Sequence, residues 1–128
     1  MQAQGLGVSD QLQCLGFCSD SQRFLAEAAV FVLPSRFDGV PNALLDAIAA
    51  GWAVIVTDAS PGRLEVVEQG VSGSVVLSDD PIALAAAMTS LASDSDRCKR
   101  MGPAARARLA SLVWPRLEPL WRSVLALS

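Results

Sequence analysis

Histidine and tyrosine are absent from this 128-residue chain, and each absence removes chemistry. Without histidine there can be no Ser-His-Asp or Cys-His nucleophile within the chain. A histidine-containing zinc site is excluded for the same reason. Three scattered cysteines, Cys14, Cys18 and Cys98, are too few for a cysteine-only site. Any acid–base work therefore falls to carboxylates, and neither a bound metal nor another cofactor is expected. The same three cysteines make an odd count that fits no disulfide framework, as in a reducing compartment. Cys14 and Cys18 flank a short apolar run and read as small core hydrophobes.

Charge is also scarce. Charged residues make up 18% of the chain, its net charge is −3 and its pI is near 4.7. A dedicated nucleic-acid binder would show a basic footprint, so nucleic acid is not an expected partner. The charge is uneven, however. From Arg97 onward stand Arg97, Lys99, Arg100, Arg106, Arg108, Arg116 and Arg122, against the single acid Glu118. The plain reading is the solvated face of terminal helices. The sharper one is a peripheral contact with anionic lipid head groups or an acidic partner. No segment reaches the about 20 continuous apolar residues of a membrane span. The opening Met1-Gln2-Ala3-Gln4-Gly5 lacks the flank and apolar run of a signal peptide. The cytoplasm is the expected location, with the membrane surface as its possible edge.

What the chain does have is apolar residues, 52% of it, enough for one packed core and too short a length for two. Leu12 to Phe17 reads as a strand, followed by a cap at Ser19-Asp20 and a helix over Arg23 to Ala28 with Phe24, Leu25 and Ala28 at helical spacing. Val30-Phe31-Val32-Leu33 is a strand buried on both faces, closed by Pro34. A loop over Ser35 to Val40 leads to Pro41 at the first position of a helix that runs to Ala50 and stops at Gly51. Ala53 to Thr57 is a second buried strand of the same kind.

After a turn at Pro61-Gly62 come a short helix near Leu64 to Glu68, a turn bracketed by Gly70 and Gly73, and a strand over Ser74 to Leu77. Asp80-Pro81 opens a helix with Leu84, Ala85, Met88 and Leu91 on one face. Asp94 to Leu109 follows, interrupted near Gly102-Pro103. A last helix carries Leu117, Leu120, Trp121, Val124 and Leu125. Strands alternating with helices mean an α/β sandwich: a parallel sheet of about four strands with helices on both faces, one partial Rossmann-like domain over residues 1–128.

The chemistry concentrates in the stretch from Pro34 to Gly51, which joins the end of a buried strand to the start of a helix. Ligands of open α/β sheets bind outside such strand ends. Gly39 lets a ligand approach the backbone, and the helix start offers unpaired N–H groups and a positive dipole end to an anion such as phosphate. Asp38 lies just before this helix and Asp46 eight residues later. Each carboxylate can accept hydrogen bonds from a sugar diol. A phosphate site between two such acids describes a sugar nucleotide, although a capped helix with flanking acids also arises for structural reasons alone. Glu65, near the following turn, is a further acid that the same crevice could include, or an ordinary helix-start acid.

The run from Val32-Leu33-Pro34-Ser35-Arg36-Phe37-Asp38-Gly39-Val40-Pro41-Asn42, with Asp46-Ala47 and Gly51 after it, resembles the signature of family-four (group 1) retaining glycosyltransferases of the GT-B fold. Val54-Ile55-Val56-Thr57-Asp58, Glu65 to Gly73, and Asp94 to Arg106 continue the resemblance in register from about Leu12 onward. It implies the C-terminal donor-binding domain of an enzyme transferring a hexose from a nucleoside diphosphate sugar, its substrate, with no metal. By the same resemblance Asp38 lies at the transferred sugar as the catalytic acid of the motif, and Asp46 at the ribose hydroxyls. Ser35, Arg36, Gly39, Val40, Pro41 and Asn42 complete the implied donor site.

Both acidic positions usually hold glutamate in that family, so each aspartate here is about 1.5 Å shorter in reach, one C–C bond. The family's preceding strand–helix units, the basic pair that neutralises the diphosphate, and the acceptor domain have no counterpart in this stretch. Arg36 and Arg63 are the nearby cations, outside that pair's place in the order. Transfer is therefore expected to need a separate N-terminal half. Two alternatives stand beside this reading. One is a non-catalytic α/β binding module on the same fold. The other, a receiver-like signalling domain, lacks its aspartate cluster and switch lysine here.

Overall fold

In the computed structural model, residues 2–20, 23, 28–112 and 114–124 are described. Three parallel strands form the sheet: β1 (Val30–Leu33), β2 (Ala53–Thr57) and β3 (Ser74–Val76), in the spatial order β1-β2-β3. Val30 lies opposite Ala53 and Leu33 opposite Val56, while Ile55 lies opposite Ser74 and Thr57 opposite Val76. The helices are α1 (Gln2–Gly5), α2 (Asn42–Ala50), α3 (Pro61–Val66), α4 (Pro81–Ala92), α5 (Ser95–Ala110) and α6 (Trp114–Val124).

All five residues of β2 are buried, as its unbroken Ala-Val-Ile-Val-Thr run requires of a central parallel strand. Their side chains alternate between the two sides. Val54 and Val56 pack with Leu44, Ala47 and Ile48 of α2, with Val66 and Val67, and with Ala105 of α5. Ala53 and Ile55 pack with Val76 of β3, Leu91 of α4 and Met101 of α5. Helices therefore cover both faces, and α5 touches both cores through residues four apart. Burying Leu44, Ile48 and Ile55 contributes about 1.5–3 kcal/mol each. Helix α5 meets the chain just ahead of β2, where Gly102 lies so close to Gly51 that a Cβ on it would sit 1.8 Å from the Gly51 carbonyl oxygen.

Several boundaries differ from the sequence reading. The sheet has three strands among the described residues, not four, because Leu12–Phe17 pairs with none of them. Leu12, Leu15 and Phe17 are exposed, Phe17 almost completely. An apolar run becomes a strand only where a ladder partner satisfies its backbone. For the same reason Cys14 is exposed and Cys18 half-buried, so neither is a core hydrophobe. Pro41 is the extended residue before α2, not its first helical residue, and its carbonyl accepts from the Leu44 and Leu45 amides.

Helix α3 begins at Pro61 itself, where a proline at the first position sacrifices no hydrogen bond, and ends before Glu68. Helix α5 runs through Gly102-Pro103 without a break, because tertiary packing of Met101, Gly102 and Ala105 outweighs the poor helix propensity of Gly102 and Pro103. Ala85 and Met88 of α4 are largely exposed, and Ala83, Leu84, Ala87 and Leu91 make its inner face. Two helices are capped by an acid, Asp80 as expected and Asp94 in addition. Asp80 accepts from the Ala83 amide and Asp94 from the Arg97 amide, both at 2.8 Å. Gly51 ends α2 at φ 85°, the left-handed conformation that glycine adopts freely. The expected helix over 23–28 falls mostly on residues outside the described ones, as does Leu125.

Candidate functional site

The loops that leave the carboxyl ends of the three strands are tied to one another. Thr57, the last residue of β2, donates from Oγ1 to the Ser35 carbonyl just past β1. Ser60 Oγ donates to the Gly39 carbonyl at 3.1 Å. Asp58 Oδ1 accepts from both the amide and the hydroxyl of Ser78, past β3, at 2.7 and 2.9 Å. Arg36 pairs with Asp79 between the outer two loops. Asp79 is the one non-glycine residue with positive φ (60°) among those described, a conformation aspartate tolerates better than most.

The Ser78 amide, and after it the Ser78 hydroxyl, hold the Asp58 carboxyl below its ordinary pKa. A lowered folded-state pKa stabilises the fold above the ordinary carboxylate value. That contribution is lost as pH falls through the lowered one.

Arg63, in α3, lies at the centre of these ties and is fully buried. Its Nη1 donates to Thr57 Oγ1 at 2.8 Å and to the Thr57 carbonyl at 3.4 Å. Its Nη2 stands 3.6 Å from Asp38 Oδ2, too far for a hydrogen bond but close enough for the opposite charges to interact strongly. Nε and Nη2 have no hydrogen-bond acceptor among the described residues. Asp38 turns its other oxygen, Oδ1, to the Gly39 amide at 2.9 Å. Both carboxylate oxygens are therefore oriented, and the side chain stays 40% exposed, which leaves lone pairs open to solvent or a ligand.

The structure thus brings Ser35, Asp38, Gly39 and Val40 together around Thr57, Ser60 and Arg63. Gly39 is open: a Cβ built there meets nothing within 4 Å. Val40 leans on α3, where a Cβ on Gly62 would come within 2.9 Å of its Cγ2. Asn42 is the exposed first residue of α2, and no side chain caps the amides of that first turn. Asp46 lies one turn further along α2, exposed, and its side chain has no hydrogen-bond or ion-pair partner among the described residues.

Arg36 faces elsewhere. With Pro34, Thr57, Leu77, Asp79, Asp80, Pro81 and Leu84 it lines a cavity of about 360 Å³ on the α4 side. Glu65 has an exposed side chain with no hydrogen bond or ion pair to the Asp38 loop among the described residues, and its carbonyl is held by Arg108 of α5 at 2.7 Å. Neither nearby cation is a free anion site, since Arg36 is paired with Asp79 and Arg63 is enclosed.

Of the basic residues in the C-terminal third, several are held by partners within the chain. Arg108 pairs with Glu68, Lys99 with Asp96 and Arg122 with Glu118, and Arg97 donates to Ser90. Among the described residues no helix is long and apolar enough to cross a membrane. No cluster of His, Cys, Asp and Glu among them could hold a metal ion.

A three-stranded parallel sheet with helices on both faces, its polar loops gathered at the strands' carboxyl ends, is an open α/β unit, and ligands of such units bind outside those strand ends. The chain belongs to the glycosyl transferases group 1 family, whose model matches residues 1–108. It is 33% identical over 110 residues to the amylovoran biosynthesis glycosyltransferase AmsK of Erwinia amylovora, covering 80% of this chain and 27% of that protein. It is 33% identical over 88 residues to the lipopolysaccharide core biosynthesis mannosyltransferase LpcC of Rhizobium leguminosarum, covering 69% of this chain and 25% of that one.

Among solved structures, Anabaena HepE in complex with UDP superposes with a TM-score of 0.84 at 22% identity, over 98% of this chain and 35% of that one. Sucrose-phosphate synthase of Thermosynechococcus elongatus superposes with a TM-score of 0.81 at 24% identity, over 99% and 33%. The fold is that of GT-B glycosyltransferases. The chain spans about a quarter of the length of these two curated relatives and about a third of the solved ones.

Proposed function

We propose that this chain supplies the donor-binding part of a retaining glycosyltransferase that moves a hexose from a nucleoside diphosphate sugar to an acceptor. The observation that carries the reading is the placement of the two acids. Asp38 is an oriented, half-exposed carboxylate at the strand ends, and Asp46 is an unpartnered carboxylate on the helix that begins there. Between them lie the uncapped amides at the start of α2, which suit a phosphate. One protein of the same fold, Anabaena HepE, has been solved with UDP and again with UDP and glucose.

In this reading Asp38 sits at the transferred sugar and Asp46 accepts from the ribose hydroxyls. Ser35, Gly39, Val40, Pro41 and Asn42 shape the wall between them, and Arg36 stands at the edge of that wall with its side chain held by Asp79 toward the α4-side cavity. Transfer would require a second, acceptor-binding half closing over this one, as a separate or preceding N-terminal unit, in the cytoplasm or at the membrane surface.

Asp46 gives a clean test, because an exposed and unpartnered helix residue can be replaced by alanine with stability unchanged to within about 0.5 kcal/mol. Calorimetric titration of the purified chain with UDP, GDP, ADP and their glucose or mannose conjugates should show binding of one nucleotide. Asp46→Ala should weaken that binding at least about tenfold, the loss of one or two charge-assisted hydrogen bonds. Equal binding by Asp46→Ala would remove the ribose role from this residue.

A further inference from the structure

We infer that Arg63 is a positioning residue for the donor sugar: it fixes the carboxylate of Asp38 from inside the protein, without touching the donor itself. The inference rests on the function proposed above and deepens it, adding a residue that lies outside the resemblance's donor motif. Three observations carry it. Arg63 is fully buried, so no ligand reaches it and its charge must be answered from within. The carboxylate of Asp38 is the one acid paired with it, at 3.6 Å. And its Nε and Nη2 remain without hydrogen-bond acceptors among the described residues, an expensive condition for a buried group.

The geometry explains what such an arrangement does. Thr57 takes one edge of the guanidinium and, through its own hydroxyl, fixes Ser35 at the end of β1. The guanidinium is therefore anchored to the sheet rather than to a mobile loop. Asp38 Oδ2 faces that anchored charge while Oδ1 accepts from Gly39. The carboxylate plane is thereby set before any ligand arrives, and 40% of the side chain stays exposed beside the open Gly39. A shortened acid needs that help: an aspartate has less reach than a glutamate, so a fixed direction matters more. Preorganised groups lose less freedom when they bind.

The test compares Arg63→Met, which removes charge and donors at similar length, with Arg63→Lys, which keeps the charge and loses the fork. Two readouts apply to both. The first needs no ligand: the ¹H resonance of the Gly39 amide reports its bond to Asp38. It should move upfield in Arg63→Met and part of the way in Arg63→Lys. The second is titration with the preferred nucleotide and with its sugar conjugate. The conjugate should bind about tenfold more weakly to Arg63→Met, and the bare nucleotide, read through Asp46, within about twofold of the unchanged chain.

An unmoved Gly39 resonance, or equal weakening of nucleotide and conjugate, would overturn the positioning role. If the unchanged chain binds no nucleotide, the proposed function falls, and the Gly39 resonance still decides whether Arg63 orients Asp38. If Arg63→Met does not fold, Arg63→Lys carries both readouts, with selective loss of conjugate binding supporting the inference and equal loss overturning it.

Discussion

Gly102→Ala should destabilise the chain by about 3 kcal/mol or more, a large fraction of the stability of a domain this size. The added Cβ would lie 1.8 Å from the Gly51 carbonyl oxygen and 2.6 Å from its carbon. A carbon resting against a carbonyl oxygen needs about 3.3 Å. The obstacle is backbone on both sides, so no rotamer change relieves it, and α5 must move away from the turn ahead of β2. The about 1 kcal/mol that alanine gains over glycine in a helix is too small to compensate.

Because α5 contributes Met101 to one core and Ala105 to the other, its displacement loosens both faces of the sheet. Gly39→Ala is the matched control. Its Cβ meets nothing within 4 Å, and stability should stay within about 0.5 kcal/mol. Urea unfolding of the three proteins checks this, and equal midpoints for Gly102→Ala and Gly39→Ala would refute the close approach.

The second large effect is expected at Asp38. Alanine there leaves the buried Arg63 guanidinium without its counter-charge. Removing one member of a fully buried pair typically costs 3–5 kcal/mol, and the partial exposure of Asp38 brings the expected loss down to about 2 kcal/mol. That corresponds to a fall in Tm of roughly 6 to 10 °C for a chain of this size. The same Asp38→Ala change made in an Arg63→Met background should lose less than half as much, because no buried charge remains to be stranded. Thermal melts of the four proteins of this cycle measure the coupling. Equal losses in both backgrounds would mean that the two side chains are independent. The coupling also bears on function: an Asp38 substitution that abolishes binding is informative only beside its melting temperature.

How much of this was legible beforehand varies from element to element, for physical reasons. The strand over Ala53–Thr57 could be read to the residue, since four successive apolar residues ending in a β-branched threonine suit a strand covered on both faces. The stop at Gly51 and the cap at Asp80 were equally plain, because each is a local device whose partners lie within a few residues. Leu12–Phe17 misled because a strand is defined by its ladder partner, which no local pattern contains. The break expected at Gly102-Pro103 failed differently. Both residues do weaken a helix locally, but here glycine serves the close crossing with Gly51, a contact between segments fifty residues apart.

The acids of the site were legible as residue types at a loop-to-helix junction. Their surroundings were not. Arg63 reads in sequence only as a cation near the donor motif, and its burial follows from Thr57, Ser35 and Asp38 meeting across three segments. The only local hint is its apolar company, Leu64, Val66 and Val67, on a helix that begins with Pro61-Gly62. The Arg36–Asp79 and Asp58–Ser78 links are long-range in the same way, and nothing in the sequence pairs those residues.

The central claim, a sugar nucleotide held at the carboxyl ends of the strands, is tested most directly by amide chemical-shift mapping. ¹H–¹⁵N spectra of the chain would be recorded during titration with the nucleotide sugar that calorimetry selects. The account predicts shifts concentrated in Ser35 to Asp46, strongest at Gly39, Asn42 and Ala43, with α4 and the outer face of α5 unchanged. Shifts clustered instead at Leu77, Asp79, Asp80 and Leu84 around the α4-side cavity, or no shifts from a well-folded sample, would contradict it.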